Sequence, residues 1–300
     1  ERVCNFSFHF SFLDEIKNVV IGRRFKDNSI IQLYYLIYQL YKSTENNQEF
    51  SFIKNLITQE AASLKNRELS ELTLIMSNYS IGQVRLGKVD FLEETLFFYD
   101  LMAKNNVLFE NNFNKFTNFS NAVAAACRAK KLDWAKSFIN RSIQLLDKQY
   151  QDGVYHFGHG LCNFYLKEFD KALEHFNQTY DVSDVDIFYE ITRRYMHIRS
   201  IYETDIEYNT YSIDNFQVFK DWVKRQKRTI SEQYSVAYAT STGLLINLYR
   251  IKLDRGSKYN SEGKRKKAIE KTKIELSKPQ LFMAKEWYLE KVKELEETLF

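Results

Sequence analysis

The sequence predicts an all-α protein built as a stack of antiparallel helix pairs, and three observations carry that prediction. One proline and nine glycines in 300 residues leave most of the chain without the breakers that frequent tight β-turns require. Apolar residues recur at helical spacing through successive segments. Turn signals fall near residues 46, 88, 132 and 169, a period of about 40 residues, which marks a helical-repeat solenoid and not a closed bundle. In such an array each hairpin has an apolar face that only its neighbours can bury.

At the N-terminus, NFSFHFSF (residues 5–12) alternates like a half-buried strand. No second strand candidate exists, so residues 1–27 are expected to be a lead-in, distorted helix or extended, to the first pair. That pair is IIQLYYLIYQLY and FSFIKNLITQEAASL, on either side of the polar STENNQE. The second joins ELTLIMSNYSIGQVRLG to DFLEETLFFYDLMAKN, where Leu92, Leu96, Tyr99 and Ala103 hold helical spacing and Asp90, with Glu93 three residues on, is the expected N-cap. The third joins FNKFTNFSNAVAAACRAKK to DWAKSFINRSIQLLDK, with a stripe at Ala135, Phe138, Ser142 and Leu145 and Asp133 at the expected cap. The fourth is GHGLCNFYLKEFDKALEHF. Small Gly160 and Ala172 let its helices approach, while Phe169 and Phe176 are expected to fill the seam to the next unit. A fifth pair runs from VDIFYEITRRYMHIRSIYE across a polar connection at 205–214 to NFQVFKDWVKRQKRTI, and 231–253 reads as one long helix. Two glycines and two serines make 254–265 a loop, with a helix expected from about Lys266. Pro279 stands near a helix start that opens QLFMAKEWYLEKVKELEETLF. Residues 266–300 then form a C-terminal cap, and the whole chain is expected to be one domain, 1–300.

Composition narrows the function classes. Twenty-four Phe and twenty Tyr against four Met suggest seams filled by large rings. Forty-three basic and thirty-nine acidic residues leave +4, too balanced to imply a polyanionic partner without local clusters. Cys4, Cys127 and Cys162 lack CxxC spacing and are odd in number, which argues for reduced, buried thiols. No apolar run of about 18 residues and no leader pattern occurs, so the expected location is cytoplasmic, with no membrane contact. A first residue of Glu suggests a longer parent chain.

At GLCNFYLKEFDKALEHF the chain resembles a tetratricopeptide repeat (TPR). That unit places a small residue in its first helix and Ala, then an aromatic, in its second, and Gly160, Phe169, Ala172 and Phe176 match. His156, His159 and Asp184 stand where Trp, Leu and a closing Pro are usual, and LDWAKSFI is a weaker echo. Across residues 28–297 the order of NYSIGQVRLG, FLEETLFFYDLMAKNNVLFENNF, LDWAKSFI, FDKALEHF, VDIFYEITRRYMHIRSIYE, FQVFKDWVKRQK and KEWYLEKVKEL is similar to a family of uncharacterised bacterial helical-repeat proteins. The resemblance implies a right-handed superhelical stack, a TPR-like α-solenoid, and longer chains with a further helical region ahead of this one. It brings no catalytic residues.

Candidate chemistry is sparse. His156, His159 and His175, with Cys162 near in sequence, have a spacing that could hold zinc. No carboxylate or second thiol supports them and no HExxH occurs, so they are expected to be interface histidines and no metal is expected. There is no GxSxG, no GxGxxG and no GxxxxGK[ST], and neither Cys127 nor Cys162 has a reactive context. The acidic DVSDVD (181–186) lacks the glycine and distal Glu of a calcium loop, and Ser183 or Asp184 is expected to serve as a helix N-cap. The chain is therefore expected to be non-enzymatic and without cofactor.

Stacked hairpins make a concave surface suited to a peptide or partner helix, which makes a protein-interaction scaffold the leading expectation. In the tetratricopeptide register Phe157, Leu161, Phe164 and Tyr165 face the concavity, with Arg128 from the preceding unit. The same rings would serve equally as inter-helix packing. The alternative partner is RNA or DNA, bound through the basic runs at 224–228 (Lys224, Arg225, Lys227, Arg228) and 258–267 (Lys264, Arg265, Lys266, Lys267), provided both converge on one face. Glu262, Glu270 and Glu275 dilute the second run. A third expectation is that this region supports an activity carried by a preceding part of a longer chain.

Overall fold

A computed structural model describes residues 29–42, 47–86, 88–110, 115–204, 210–253, 261–278 and 280–299. The lead-in at 1–27, with NFSFHFSF and Cys4, lies outside them. Of the described residues 81% are helical and none forms a strand. Thirteen α-helices follow in order: α1 Ser29–Lys42, α2 Asn47–Glu60, α3 Asn66–Arg85, α4 Phe91–Lys104, α5 Lys115–Arg128, α6 Leu132–Ile143, α7 Lys148–Tyr165, α8 Phe169–Asn177, α9 Ile187–Glu203, α10 Thr210–Arg225, α11 Glu232–Lys252, α12 Glu262–Ser277 and α13 Lys285–Leu299. A 3₁₀ turn, Gln226–Arg228, follows α10. No described helix is long and apolar enough to cross a membrane. The chain divides into two compact units, Glu1–Gly158 and His159–Phe300.

Within the first unit each helix from α1 to α5 packs on the next, and α1 also reaches α3 and α4 reaches α6. That near-neighbour pattern is what a helical repeat requires. Phe50 of α2 shows how rings fill its seams. It stacks on Tyr79 of α3 and meets Phe91 and Phe98 of α4 edge-on, with centroids 5.0–6.1 Å apart. Gly158 is buried where an added Cβ would lie 3.0 Å from Ile139 and Phe119, so its lack of a side chain sets that approach. Cys127 is buried here, and Cys162 is buried in the second unit.

In the second unit α8 to α13 again pack in sequence, with additional contacts of α9 and α13 on α11. Polar atoms in this core are well used. The Tyr288 hydroxyl donates to the Ser241 carbonyl at 2.6 Å and lies 3.0 Å from the Tyr195 hydroxyl. Burial pushes both phenols above their ordinary pKa. Glu190 is wholly buried and accepts from Arg193 at 2.6 and 2.8 Å and from Arg194 at 2.6 Å. Arg194 also bonds Asp181 and lies over Trp222, 4.4 Å from the ring centroid.

Several turns share one hydrogen-bond scheme. The amide of Lys131 donates to the Ala126 carbonyl and that of Lys130 to Cys127; Glu168 to Asn163 and Lys167 to Phe164 repeat it, as do Val107 to Met102 and Asn106 to Ala103. This is the Schellman closure, and Asn106, Lys130 and Lys167 hold the left-handed φ it needs, at 58°, 59° and 62°. The Lys88 amide closes on the Gln83 carbonyl in the same register. The turns closed by the amides of Lys88, Lys131 and Glu168 thus fall where the period of about 40 residues places them, while the one expected near residue 46 lies outside the described residues.

Local details differ from expectation where a nearby bond wins. Asp90 has helical φ and ψ of −57° and −25° and makes no capping bond. Asp133 sits inside α6, which starts one residue earlier, and acts as a first-turn acid on the helix dipole. The cap of α9 is Asp186, which accepts from the Tyr189 amide at 3.0 Å; Ser183 instead donates its amide to Asp181 at 2.8 Å. Leu145 lies beyond the end of α6 and is exposed. Phe176 packs directly on Gly160, whose added Cβ would lie 2.6 Å from the ring, and Phe169 stacks edge-on against Phe164 at 5.4 Å. Both rings therefore pack within the α7–α8 pair. Ser261 caps α12, so that helix opens at Glu262, ahead of Lys266. The last helix opens only at Lys285, because Met283 is tied to the core: its amide donates to Ser241 Oγ at 3.0 Å and its carbonyl accepts from Tyr195.

Candidate binding groove

In the second unit α10, α11 and α12 enclose an open groove of about 880 Å³. Its floor is the face of α11 that runs from Ser235 to Arg250, fifteen rises of 1.5 Å or about 22 Å of length. Ser235 closes one end by donating its hydroxyl to the Val223 carbonyl of α10 at 3.1 Å. Along the floor Ala239, Thr240 and Gly243 are small, while Val236 is an exposed apolar residue. A Cβ on Gly243 would come within 3.3 Å of Lys220 Nζ, so the glycine leaves room for that ammonium over the floor.

Both walls are cationic for reasons of helix register. Gln217, Lys220 and Lys224 lie at i, i+3 and i+7 on α10, one face of the helix. Lys264, Lys267, Lys271 and Glu275 continue the same rule along α12. Arg250 adds a sixth cation from the floor, against one carboxylate, Glu275, among the described lining residues. Glu275 is itself engaged by Lys278 and by Gln280 at 3.0 Å, and the Lys278 ammonium holds its carboxyl below the ordinary range. Among the described residues no carboxylate forms a close ion pair with Lys220, Arg250, Lys267 or Lys271, although Lys271 also acts on Glu275 one turn away and helps lower its pKa. Lys224 lies 3.9 Å from Asp221, a loose contact in solvent.

This arrangement is not what helix stability alone favours. Four consecutive cations from Lys264 to Lys267 begin at the third residue of α12, near the positive end of its dipole, and Lys267 and Lys271 repel each other across one turn. By contrast, a smaller recess of about 360 Å³ lined by Lys266, Lys267, Glu270 and Glu296 is charge-balanced.

Of the two predicted basic runs, the fold brings Lys224, Lys264 and Lys267 into the groove. Arg225, Lys227, Arg228 and Lys266 are exposed outside its lining, Arg265 is half-buried, and Lys266 pairs with Glu262 at 2.7 Å. Sequence reading missed Lys220, Arg250 and Lys271; the three- and four-residue spacing to Lys224, Lys264 and Lys267 would have found two of them. The residues expected along a tetratricopeptide concavity are placed differently. Phe157, Leu161 and Phe164 are buried, whereas Arg128 and Tyr165 are exposed. Phe164 carries the Arg199 guanidinium over its ring at 4.7 Å, a core contact. His159 and His175 stack with centroids 5.6 Å apart, His156 lies 3.6 Å from Asp152, and no three His, Cys, Asp or Glu side chains converge among the described residues.

No family model, no curated protein and no solved structure matches the chain.

Proposed function

We propose that this chain is a non-enzymatic interaction scaffold, a TPR-like right-handed stack of helix pairs of the cytoplasm, that binds a peptide segment of a partner protein in a helical groove. The observation that carries this reading is the open groove of about 880 Å³ whose three helix faces are in register. Its length suits about four turns of a helix laid along α11. Small floor residues favour close approach of a ligand backbone, since interaxial distance follows the side chains at the contact. The exposed Arg128 of the first unit and, separately, the exposed Tyr165 of the second each remain a candidate for partner contact; Phe157, Leu161 and Phe164 are buried packing residues.

Selection of a displayed peptide library against the chain, run in parallel on Gly243→Trp, tests this reading. The indole fills the floor and removes no cation, though the Lys220 ammonium, 3.3 Å from an added Cβ, must swing aside, and a helix interior accepts any such residue better than glycine. Peptides enriched on the native chain and lost on the variant are the expected result. Enrichment indifferent to residue 243 would remove the groove as the binding surface.

A second reading has its own support. Lys224, Lys264 and Lys267 come from both basic runs and share one groove, as a nucleic-acid site would need. Electrophoretic shift of RNA and DNA oligonucleotides at two salt concentrations addresses it, and absence of a shift at low salt ends it.

A further inference from the structure

The geometry points to an acidic amphipathic helix as the occupant of the α10–α11–α12 groove, a step that rests on the groove being the binding surface. A helix laid along α11 meets the floor with one face and a wall with each flank. The floor offers it Val236 and the small Ala239 and Gly243, which suits a narrow apolar stripe. The walls offer Lys220 on one side and Lys267 and Lys271 on the other, none in a close ion pair with a carboxylate among the described residues. Asp or Glu on both flanks of the ligand would complement them. Lysine at i, i+3 and i+7 on α12 repeats at 4.5 and 6 Å by the rise of about 1.5 Å per residue, close to the spacing of acids one turn apart on a facing helix.

Two physical points favour this ligand over a nucleic acid. Among the described residues no aromatic ring lines the groove, so bases would find there none of the stacking, worth about 1–3 kcal/mol per base, that holds single strands. Exposed Val236 on the floor would also lie against a charged backbone with nothing to bury it. A bound acidic flank, in turn, relieves the repulsion among the α12 lysines and their conflict with the helix dipole.

The test is fluorescence anisotropy on the full chain with three labelled probes: a helical peptide of about 15 residues, or four turns, with a Leu stripe and Glu flanks; the same peptide with Lys flanks; and oligouridylate. Each is titrated against the native chain, Gly243→Trp, and the triple substitution Lys220→Gln, Lys267→Gln, Lys271→Gln, with circular dichroism verifying that the variants fold. The Glu-flanked peptide is expected to bind, to weaken at least about tenfold between about 50 and about 200 mM salt, and to weaken about tenfold or more in both variants. Equal binding of the Lys-flanked peptide, still lost on Gly243→Trp, overturns acid selectivity while leaving the groove intact. Binding of the Glu-flanked peptide unaffected by Gly243→Trp overturns the groove itself, leaving only diffuse surface attraction. Tighter, groove-dependent binding of oligouridylate, or no binding of the Glu-flanked peptide at the lower salt, overturns the inference.

Discussion

His197 carries the clearest pH dependence of any single side chain. Its Nε2 lies 2.8 Å from Asn177 Oδ1, where the neutral ring donates a proton to the amide oxygen. Burial, followed by the nearby Arg193 and Arg194 guanidiniums, lowers its pKa from 6.5 to about 4. The unfolded chain therefore binds the proton first. The stability His197 contributes is complete above pH 6.5 and is lost as pH falls through about 4, with a slope of up to about 1.4 kcal/mol per pH unit between them. Denaturant melts of the native chain and His197→Gln across that window should diverge, the native chain losing stability faster on acidification; parallel curves would contradict the assignment. This residue was not legible in the sequence, because its environment comes from Asn177 on α8 and from guanidiniums oriented by the buried Glu190. The same holds for the caps. Ser183 and Asp184 are the expected caps, but Asp186 carries an equally suitable side-chain oxygen, and only the fold decides which one meets the open end of α9.

At the scale of elements, the repeated hairpin turn is what the sequence displays most directly. Gly87-Lys88, Lys130-Lys131 and Lys167-Glu168 each precede an apolar residue and an aspartate, and the turns at 129–131 and 166–168 close by the same pair of amide bonds. Lys130 pays for its left-handed φ of 59° with a Cβ that glycine lacks. Lys130→Gly should stabilise the first unit by about 0.5–1 kcal/mol, read as a higher denaturation midpoint at unchanged m-value; a destabilised variant would mean that the turn is held by something other than the Schellman closure. The basic runs at 224–228 and 264–267 were also visible, yet only half of the groove was. Lys220, Lys271 and Arg250 join it through the registry of three helices, and α11 ends at Lys252 while α12 begins only at Glu262 in the chain. The start of α13 was misplaced for a related reason: Pro279 signals a break, but the tether of Met283 to Ser241 and Tyr195 delays the helix to Lys285.

Over the whole molecule, a formal charge of +4 conceals an uneven distribution, since among the described residues six cations against one carboxylate line a single groove in the second unit. On the proposed reading binding belongs to that groove, and the near-neighbour packing of helices in both units is architecture. Amide hydrogen exchange on the full chain, with and without the Glu-flanked helical peptide, tests this most directly. Added protection confined to 217–224, 235–250 and 264–275 is the predicted result, and protection centred instead on helices between residues 29 and 143, or none anywhere at saturating peptide, would contradict it.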